Sequence, residues 1–291
     1  MRKVRIASVS FLMEDSPHTV ELNLERASHY IHDASHAGAN IVCLPETVTT
    51  NGVPSALDTV DDGWAKFFAA TALENSIAVV APFYVKEGNR LFNQASVFGP
   101  MGHSLGFYRK AQPTGAEAKR VSPGDTFPIL DLGFAKIAIM ICMDIYFPEI
   151  ARIYAMNGAE ILFWPTTTHG PTQSGLEAQL RSRAIDNSIP IVESNLAGRP
   201  PYAPYAGRFY PGNARIVDFN GDTLTQTGRR DGLAVCDIDL DERRKTSSVI
   251  LIHEPDDTRA DLEAIARMDL YAKEYTQISS HQRRYYDSLP K

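Results

Sequence analysis

The sequence predicts an α/β layered sandwich contained in one domain, and three observations predict it. Apolar runs of strand length alternate with amphipathic helical stretches along most of the 291 residues. No linker composition interrupts residues 1–245, so no internal boundary is expected there. With 44% hydrophobic and 22% charged residues the chain can bury one large core, while 19 Gly and 18 Pro without a period exclude a fibrous or disordered chain.

The elements follow in order. Residues 4–9 read as a first strand, not a signal peptide, because Ser8 and Ser10 break the apolar stretch and Glu14 and Asp15 end it. Over residues 19–36 Val20, Leu24, Ala27, Ile31 and Ala34 recur at steps of three and four, which predicts a helix closed by Gly38. Residues 39–44 form a short apolar strand, 64–73 a helix, and 77–85 a strand turning at Gly88 into 91–98 and then 103–109. Residues 134–142 read as a strand running up to Cys142, with a helix starting near Pro148 and stopped by Asn157 and Gly158. A strand at 161–164, a helix at 175–188, a strand at 189–194, a hairpin at 214–226 about Asn220-Gly221 and a strand at 233–240 complete the pattern. Beyond Asp256 the chain reads as helical. The division is therefore residues 1–255 as the main domain and 256–291 as a helical extension packing on that domain or on a neighbouring subunit.

A formal net charge of −6 gives no attraction to nucleic-acid phosphates or an anionic membrane surface, and neither is an expected partner. No apolar run reaches the roughly 18–20 residues of a membrane span. Cys43, Cys142 and Cys236 lie far apart and are odd in number, which is the usage of a reducing compartment and predicts a cytoplasmic protein without a disulfide framework.

Three residues at predicted strand ends carry chemistry. Cys142, between an apolar strand and a helix, is placed where helical N–H dipoles favour a thiolate, although position alone favours a small core residue. Glu46 follows Ile41-Val42-Cys43-Leu44-Pro45, where desolvation would raise a carboxylate toward the value of a general base; an isolated glutamate there would otherwise be a solvated loop residue. Lys110 ends the strand before it and suits an oxyanion donor, or a plain basic strand end beside Arg109.

Together, and in the order Glu46, Lys110, Cys142, they resemble the nitrilase superfamily of carbon–nitrogen hydrolases. The matching words are Gly38-Ala39-Asn40-Ile41-Val42-Cys43-Leu44-Pro45-Glu46, Tyr108-Arg109-Lys110, Ser122-Pro123-Gly124-Asp125, Ile141-Cys142-Met143-Asp144 with Phe147-Pro148-Glu149, and Trp164-Pro165-Thr166. The resemblance spans roughly residues 1–245 and implies a four-layer αββα sandwich. It implies Cys142 as nucleophile, Glu46 as general base, Lys110 as stabiliser of the tetrahedral intermediate, and Glu117 as a second glutamate in the loop after the lysine. The chemistry it implies is amide hydrolysis through a Cys thioester, without a metal or organic cofactor, in a homo-oligomer of even number.

Met143, whose backbone N–H would help hold the oxyanion, and Tyr146, Thr167 and His169, near the supposed site, are the expected substrate contacts. Met143-Asp144 after the cysteine departs from the Trp-Glu of family nitrilases and points to the amidase and N-carbamoyl hydrolase branches. Ile145 and Tyr146 stand where carbamoyl-amino-acid hydrolases often carry arginines. The expected substrate is thus a small amide or N-carbamoyl compound. A nitrilase, or a non-catalytic ligand-binding member, are the alternatives. The aromatic loop at 200–205 is either a pocket wall or a structural loop. His29, His32 and His36 share a helical spacing but fall opposite the apolar stripe, so no metal site is expected of them.

Overall fold

A computed structural model describes residues 2–12, 19–50, 63–115, 117–168, 173–198, 209–242 and 266–281. Strands β1 (Lys3–Leu12), β2 (Ile41–Cys43), β3 (Ala78–Glu87), β4 (Arg90–Phe98) and β5 (Ser104–Arg109) form one arm of a mixed sheet. Strands β6 (Leu130–Asp131), β7 (Lys136–Ile139), β8 (Ile161–Pro165) and β9 (Ile191–Gly198) form the other. The path runs β5-β4-β3-β2-β1-β9-β8-β7-β6. Three short strands, β10 (Tyr210–Pro211), β11 (Arg215–Val217) and β12 (Thr223–Gln226), lie off it, and β13 (Gly232–Asp239) pairs antiparallel with β1.

The period-two alternation of the strands explains the layering. Val4, Ile6, Ile41, Cys43, Val80, Ala95 and Val97 point from the first arm into a core shared with Ile137, Ile139, Leu162 and Ile191 of the second. Their neighbours Ala7, Val9, Phe11, Val42, Val79 and Phe83 point the other way, against α1 (Thr19–His36) and α2 (Gly63–Asn75) through Ala27, Ile31, Phe68 and Ala72. Helices α3 (Pro148–Met156) and α4 (Gln173–Asn187) cover the second arm through Ile150, Tyr154, Leu180 and Ala184. The result is the expected αββα sandwich. A fully buried large side chain such as Phe68 or Phe163 contributes about 1.5–3 kcal/mol to it.

One boundary differs from the sequence reading in a way that matters. Strand β7 ends at Ile139, and Cys142 opens a 3-10 turn (Cys142–Tyr146) instead of ending the strand. The Ile141 N–H leaves the ladder and donates to the Asp144 carboxylate at 2.8 Å. Met140 and Ile141 are apolar because they are buried, not because they are strand residues. His29, His32 and His36 face solvent as expected, and among the described residues no cluster of metal-ligating side chains is present. No helix among the described residues is long and apolar enough to cross a membrane. Helix α5 (Met268–His281) is exposed along its described side chains, and its Tyr275 hydroxyl donates to Glu149 of α3 at 2.8 Å. Residues 256–265 and the loop at 200–205 lie outside the described residues.

Candidate active site

Strand directions bring the three strand-end residues to one edge. Strands β1, β2 and β3 are mutually parallel, and two antiparallel steps through β4 return β5 to the direction of β3. Strands β9, β8 and β7 run parallel to β1 as well. The C-terminal ends of β2, β5, β7 and β8 therefore share an edge, and the residues just beyond them are Glu46, Lys110, Cys142 and Thr166–Thr167. Such an edge is where α/β sheets place ligands and reactive groups. Gly124 of the Ser-Pro-Gly-Asp word lies flat against the end of β5: its N–H donates to the Lys110 carbonyl at 2.9 Å, and a Cβ there would overlap the Arg109 carbonyl.

Lys110 is the hub. Its Nζ donates to Glu46 Oε1 at 2.7 Å and to Glu117 Oε2 at 2.8 Å, with the lysine and Glu46 side chains only 2% and 3% exposed. Burial by itself would lower the ammonium's pKa, but Glu46, Glu117 and Cys142 together hold it well above its ordinary value. Lys110 is a fixed cation, suited to stabilising charge and not to taking up a proton.

Glu46 is held on both oxygens. Oε1 accepts from Lys110 and from Asn93 Nδ2 (2.8 Å); Oε2 accepts from the Thr167 N–H (3.0 Å) and hydroxyl (2.7 Å). Burial pushes its pKa up, yet Lys110 and these donors overcome burial and leave it below the ordinary glutamate value. This reverses the expectation that desolvation raises Glu46. The surroundings thus favour the ionised carboxylate, the form that a base requires.

Cys142 has φ +45°, the left-handed region that a non-glycine residue enters at an expense of order 1–3 kcal/mol. The turn is fastened on both sides. Asp144 N–H donates to the Ile141 carbonyl (3.0 Å), and Trp164 Nε1 donates to the Cys142 carbonyl (2.9 Å). The residue keeps partial exposure, but its sulfur sits deep: burial and the adjacent Glu46 charge push the thiol up to about 12, against a smaller opposing pull from Lys110, Thr166 and Thr167. The expectation of a thiolate favoured by helical dipoles is thus reversed. The resting group is a thiol beside an ionised carboxylate, an arrangement in which the base takes the proton as the sulfur attacks.

The loop glutamate joins the cluster as well. Glu117 lies on a 3-10 turn (Glu117–Lys119) with Oε2 on Lys110 and on the Thr114 N–H (3.0 Å), and Oε1 on Asn93 (2.7 Å). Of the expected substrate contacts, Met143 is half-buried beside the cysteine and Tyr146 is exposed at the end of the turn. Thr167 directs both of its donors at Glu46, and His169 lies outside the described residues. Sequence reasoning did not single out Asn93, and it quoted Tyr108 and Asp144 only within the matching words, without a structural role. An asparagine on the strand face that Ala95 and Val97 otherwise make apolar was the signal for Asn93.

Comparison with known proteins agrees with this geometry. The family model for carbon-nitrogen hydrolases matches residues 5–247. Omega-amidase NIT2 of Mus musculus is 33% identical over 235 residues, covering 75% of this chain and 83% of that protein. The probable nitrilase C965.09 of Schizosaccharomyces pombe is 27% identical over 237 residues, covering 77% and 85%. Among solved structures, a double mutant of the amidase from Nesterenkonia sp. AN1 in complex with acrylamide superposes with a TM-score of 0.79 at 25% identity, covering 94% of this chain and 98% of that one. Another form of the same amidase shows covalent addition of the acetamide moiety of fluoroacetamide at its active site cysteine (TM-score 0.78, 26% identity, 93% and 96% covered). A model match over residues 5–247, on a sandwich whose shared edge gathers a glutamate, a lysine and a cysteine, means that this chain belongs to the carbon-nitrogen hydrolase family.

Proposed function

We propose that Cys142 is the nucleophile of this amidase-type carbon–nitrogen hydrolase, with Glu46 as its base, Lys110 as the cation that stabilises the tetrahedral intermediate, and Glu117 as the group that keeps Lys110 in place. The observation that carries the proposal is one buried ammonium bonded to two carboxylates, beside a cysteine held in a left-handed turn. The sulfur attacks the amide carbon while Glu46 accepts its proton. Glu46 then returns that proton to the leaving nitrogen, and ammonia or an amine departs, leaving a thioester on Cys142. Glu46 next takes a proton from water, which adds to the thioester carbon, and the carboxylic acid leaves as the thiol is restored. Lys110 and the Met143 N–H serve the oxyanion of both tetrahedral intermediates.

The substrate class this reading favours is a small amide or N-carbamoyl compound. The omega-amidase relatives and the amidase structures support the amide, and Met143-Asp144 in place of Trp-Glu weighs against a nitrile. A cytoplasmic location and an even-numbered homo-oligomer complete the proposal; the three free cysteines support the former and the family resemblance the latter. The test is ammonia release from matched amide, nitrile and carbamoyl versions of several carbon skeletons, with Cys142→Ala as control. Release from amides or carbamoyl compounds, abolished by the substitution, is the expected result. Release from nitriles alone, or release that survives Cys142→Ala, would overturn the assignment.

A further inference from the structure

Asn93 is absent from the catalytic assignment above, yet it touches two of its members. Along β4, Asn93, Ala95 and Val97 share the face turned to the other arm, and Ala95 stands opposite Tyr108 of β5. The Asn93 carbonyl accepts the Lys110 N–H at 2.9 Å, so the asparagine is the backbone neighbour of the lysine. Its side chain is buried at 1% exposure, and Nδ2 donates to Glu46 Oε1 at 2.8 Å and to Glu117 Oε1 at 2.7 Å. The two carboxylates are thus bridged twice, once by the Lys110 ammonium and once by this amide.

The amide's orientation is dictated by chemistry. Ionised carboxylates only accept, so the NH2 must face them, and Oδ1 must face away, where it has no partner among the described residues. A buried unpartnered carbonyl oxygen costs roughly 1–3 kcal/mol, so the arrangement is not one that stability alone selects. Alternatives for the position fail on charge or donor count. Two carboxylates and one ammonium leave the cluster at −1. A second cation there would bring the cluster to zero and weaken Glu46 as a base. A third carboxylate would add repulsion, and a serine hydroxyl has one hydrogen for two acceptors. A short neutral side chain with two hydrogens on one atom is what the gap between the two glutamates requires.

We propose that Asn93 is a positioning residue for the reaction: the two hydrogens of its amide fasten Glu46 and Glu117 side by side around Lys110, so that Glu46 meets the Cys142 sulfur as an oriented, ionised base. The inference rests on the assignment of Glu46 as the base of Cys142. The titratable groups around Glu46 are Lys110 from the end of β5, Cys142 from the turn after β7, and Glu117 from the loop after β5. Thr167 after β8 supplies neutral donors only. Without the Asn93 donor the charged form of Glu46 loses one of its hydrogen bonds, and its proton is held more tightly.

The test compares wild type, Asn93→Leu and Asn93→Ser in two assays from about pH 3 to about 9, a window that extends below the depressed Glu46 value. The first is kcat and KM for an amide substrate. The second is the rate of Cys142 alkylation by iodoacetamide, read by peptide mapping. The expected result for Asn93→Leu is an acid limb moved upward by about one pH unit in both assays, so that rates at the low end fall on the order of tenfold more than rates at the high end. KM should change much less than kcat. Asn93→Ser, which keeps one donor, should fall between and provides the reading if the leucine variant does not fold. A uniform loss at every pH, or an unmoved limb, would overturn the proposal and leave Asn93 a packing residue. Failure of the functional reading looks different: wild-type turnover would survive Cys142→Ala, and wild-type alkylation would show no acid limb, only the slow rise of an unassisted thiol.

Discussion

The Tyr108 hydroxyl donates to Asp144 Oδ2 at 2.7 Å, and this bond ties the strand that carries Lys110 to the turn that carries Cys142. Asp144 also accepts the Ile141 N–H of its own turn (2.8 Å) and the Gln112 N–H of the lysine loop (3.0 Å), while the Tyr108 oxygen accepts the Ala111 N–H (3.1 Å). One carboxylate, fully buried, thereby fastens the segment after β5 that carries Lys110 to the turn that carries Cys142.

Asp144→Asn should separate activity from stability. The amide retains an acceptor for some of the three donors but turns an NH2 toward the rest, so the turn and the lysine loop lose their common anchor. It also removes a buried charge, whose desolvation pushes the Asp144 carboxyl up to about 6 against the opposing donors of Ile141 and Tyr108. These effects offset one another in stability but not in geometry. The expectation is a melting temperature within a few degrees of wild type and kcat lower by about 100-fold. Thermal melts and steady-state kinetics on the same preparation check both.

Lys110→Met should destabilise the fold and reverse a pH dependence. Removing one partner of a buried ion pair costs roughly 3–5 kcal/mol. In wild type the Glu46 pKa is depressed, so its contribution to stability is present above the ordinary glutamate value and is lost as pH falls through its folded value. With the ammonium gone, burial dominates and the folded value rises. The Glu46 contribution should then favour the fold more as pH falls toward 5. In urea denaturation the variant should gain stability relative to wild type from pH 7 down to pH 5, a window in which the depressed wild-type Glu46 contributes almost no slope, and turnover at pH 7 should drop by about 10³-fold or more.

These residues mark the limits of what was legible in the sequence. Glu46, Lys110 and Cys142 each follow an apolar run, and apolar runs report strands, but their order and the surrounding words, through the family resemblance, marked them as a set; the shared edge then follows from strand direction. The left-handed turn at Cys142 was not legible, since Met140 and Ile141 extend the apolar run past the true end of the strand. What ends it is a side-chain acceptor three residues ahead, which hydrophobic periodicity does not record. The protonation states were not legible for a related reason. Local position suggested a lowered thiol and a raised carboxylate. The signs depend on which charges from distant segments fall within hydrogen-bond reach, and Lys110 and Glu46 are 64 residues apart in the chain. The helices and long strands, by contrast, are set by local repeats, and α1 spans the residues expected of it.

Thiol labelling should be selective for a reason other than thiolate population. Burial comes first among the causes that push up all three cysteines, Cys43 and Cys142 to about 12 and Cys236 to about 11. Of the three, only Cys142 feels the charge of Glu46, the carboxylate proposed as its base. Iodoacetamide at neutral pH should therefore modify Cys142 about 100-fold faster than the other two, and Glu46→Gln should erase most of that preference. Mass-spectrometric counting of modified peptides over time provides the measurement.

Glu193 on β9 supplies a stability prediction outside the site. It is buried, and desolvation pushes its carboxyl up to about 7 although Arg215 lies 2.7 Å away. A raised folded value means that the protonated form is favoured in the fold. The Glu193 contribution is therefore largest below the unfolded value of about 4.5 and declines as pH rises through about 7. The span corresponds to about 3 kcal/mol. Glu193→Gln should flatten the stability profile between pH 4.5 and 7, whatever its effect on absolute stability, as measured by denaturant midpoints across that window.

Rapid-quench mass spectrometry of the wild-type protein turning over an amide substrate looks for the covalent intermediate on Cys142 itself. One acyl adduct per chain, mapped to the Cys142 peptide, should appear within the first turnover and disappear when substrate is exhausted. Steady ammonia release with the acyl mass on Cys43 or Cys236, or turnover that persists in Cys142→Ala, would contradict Cys142 as the nucleophile.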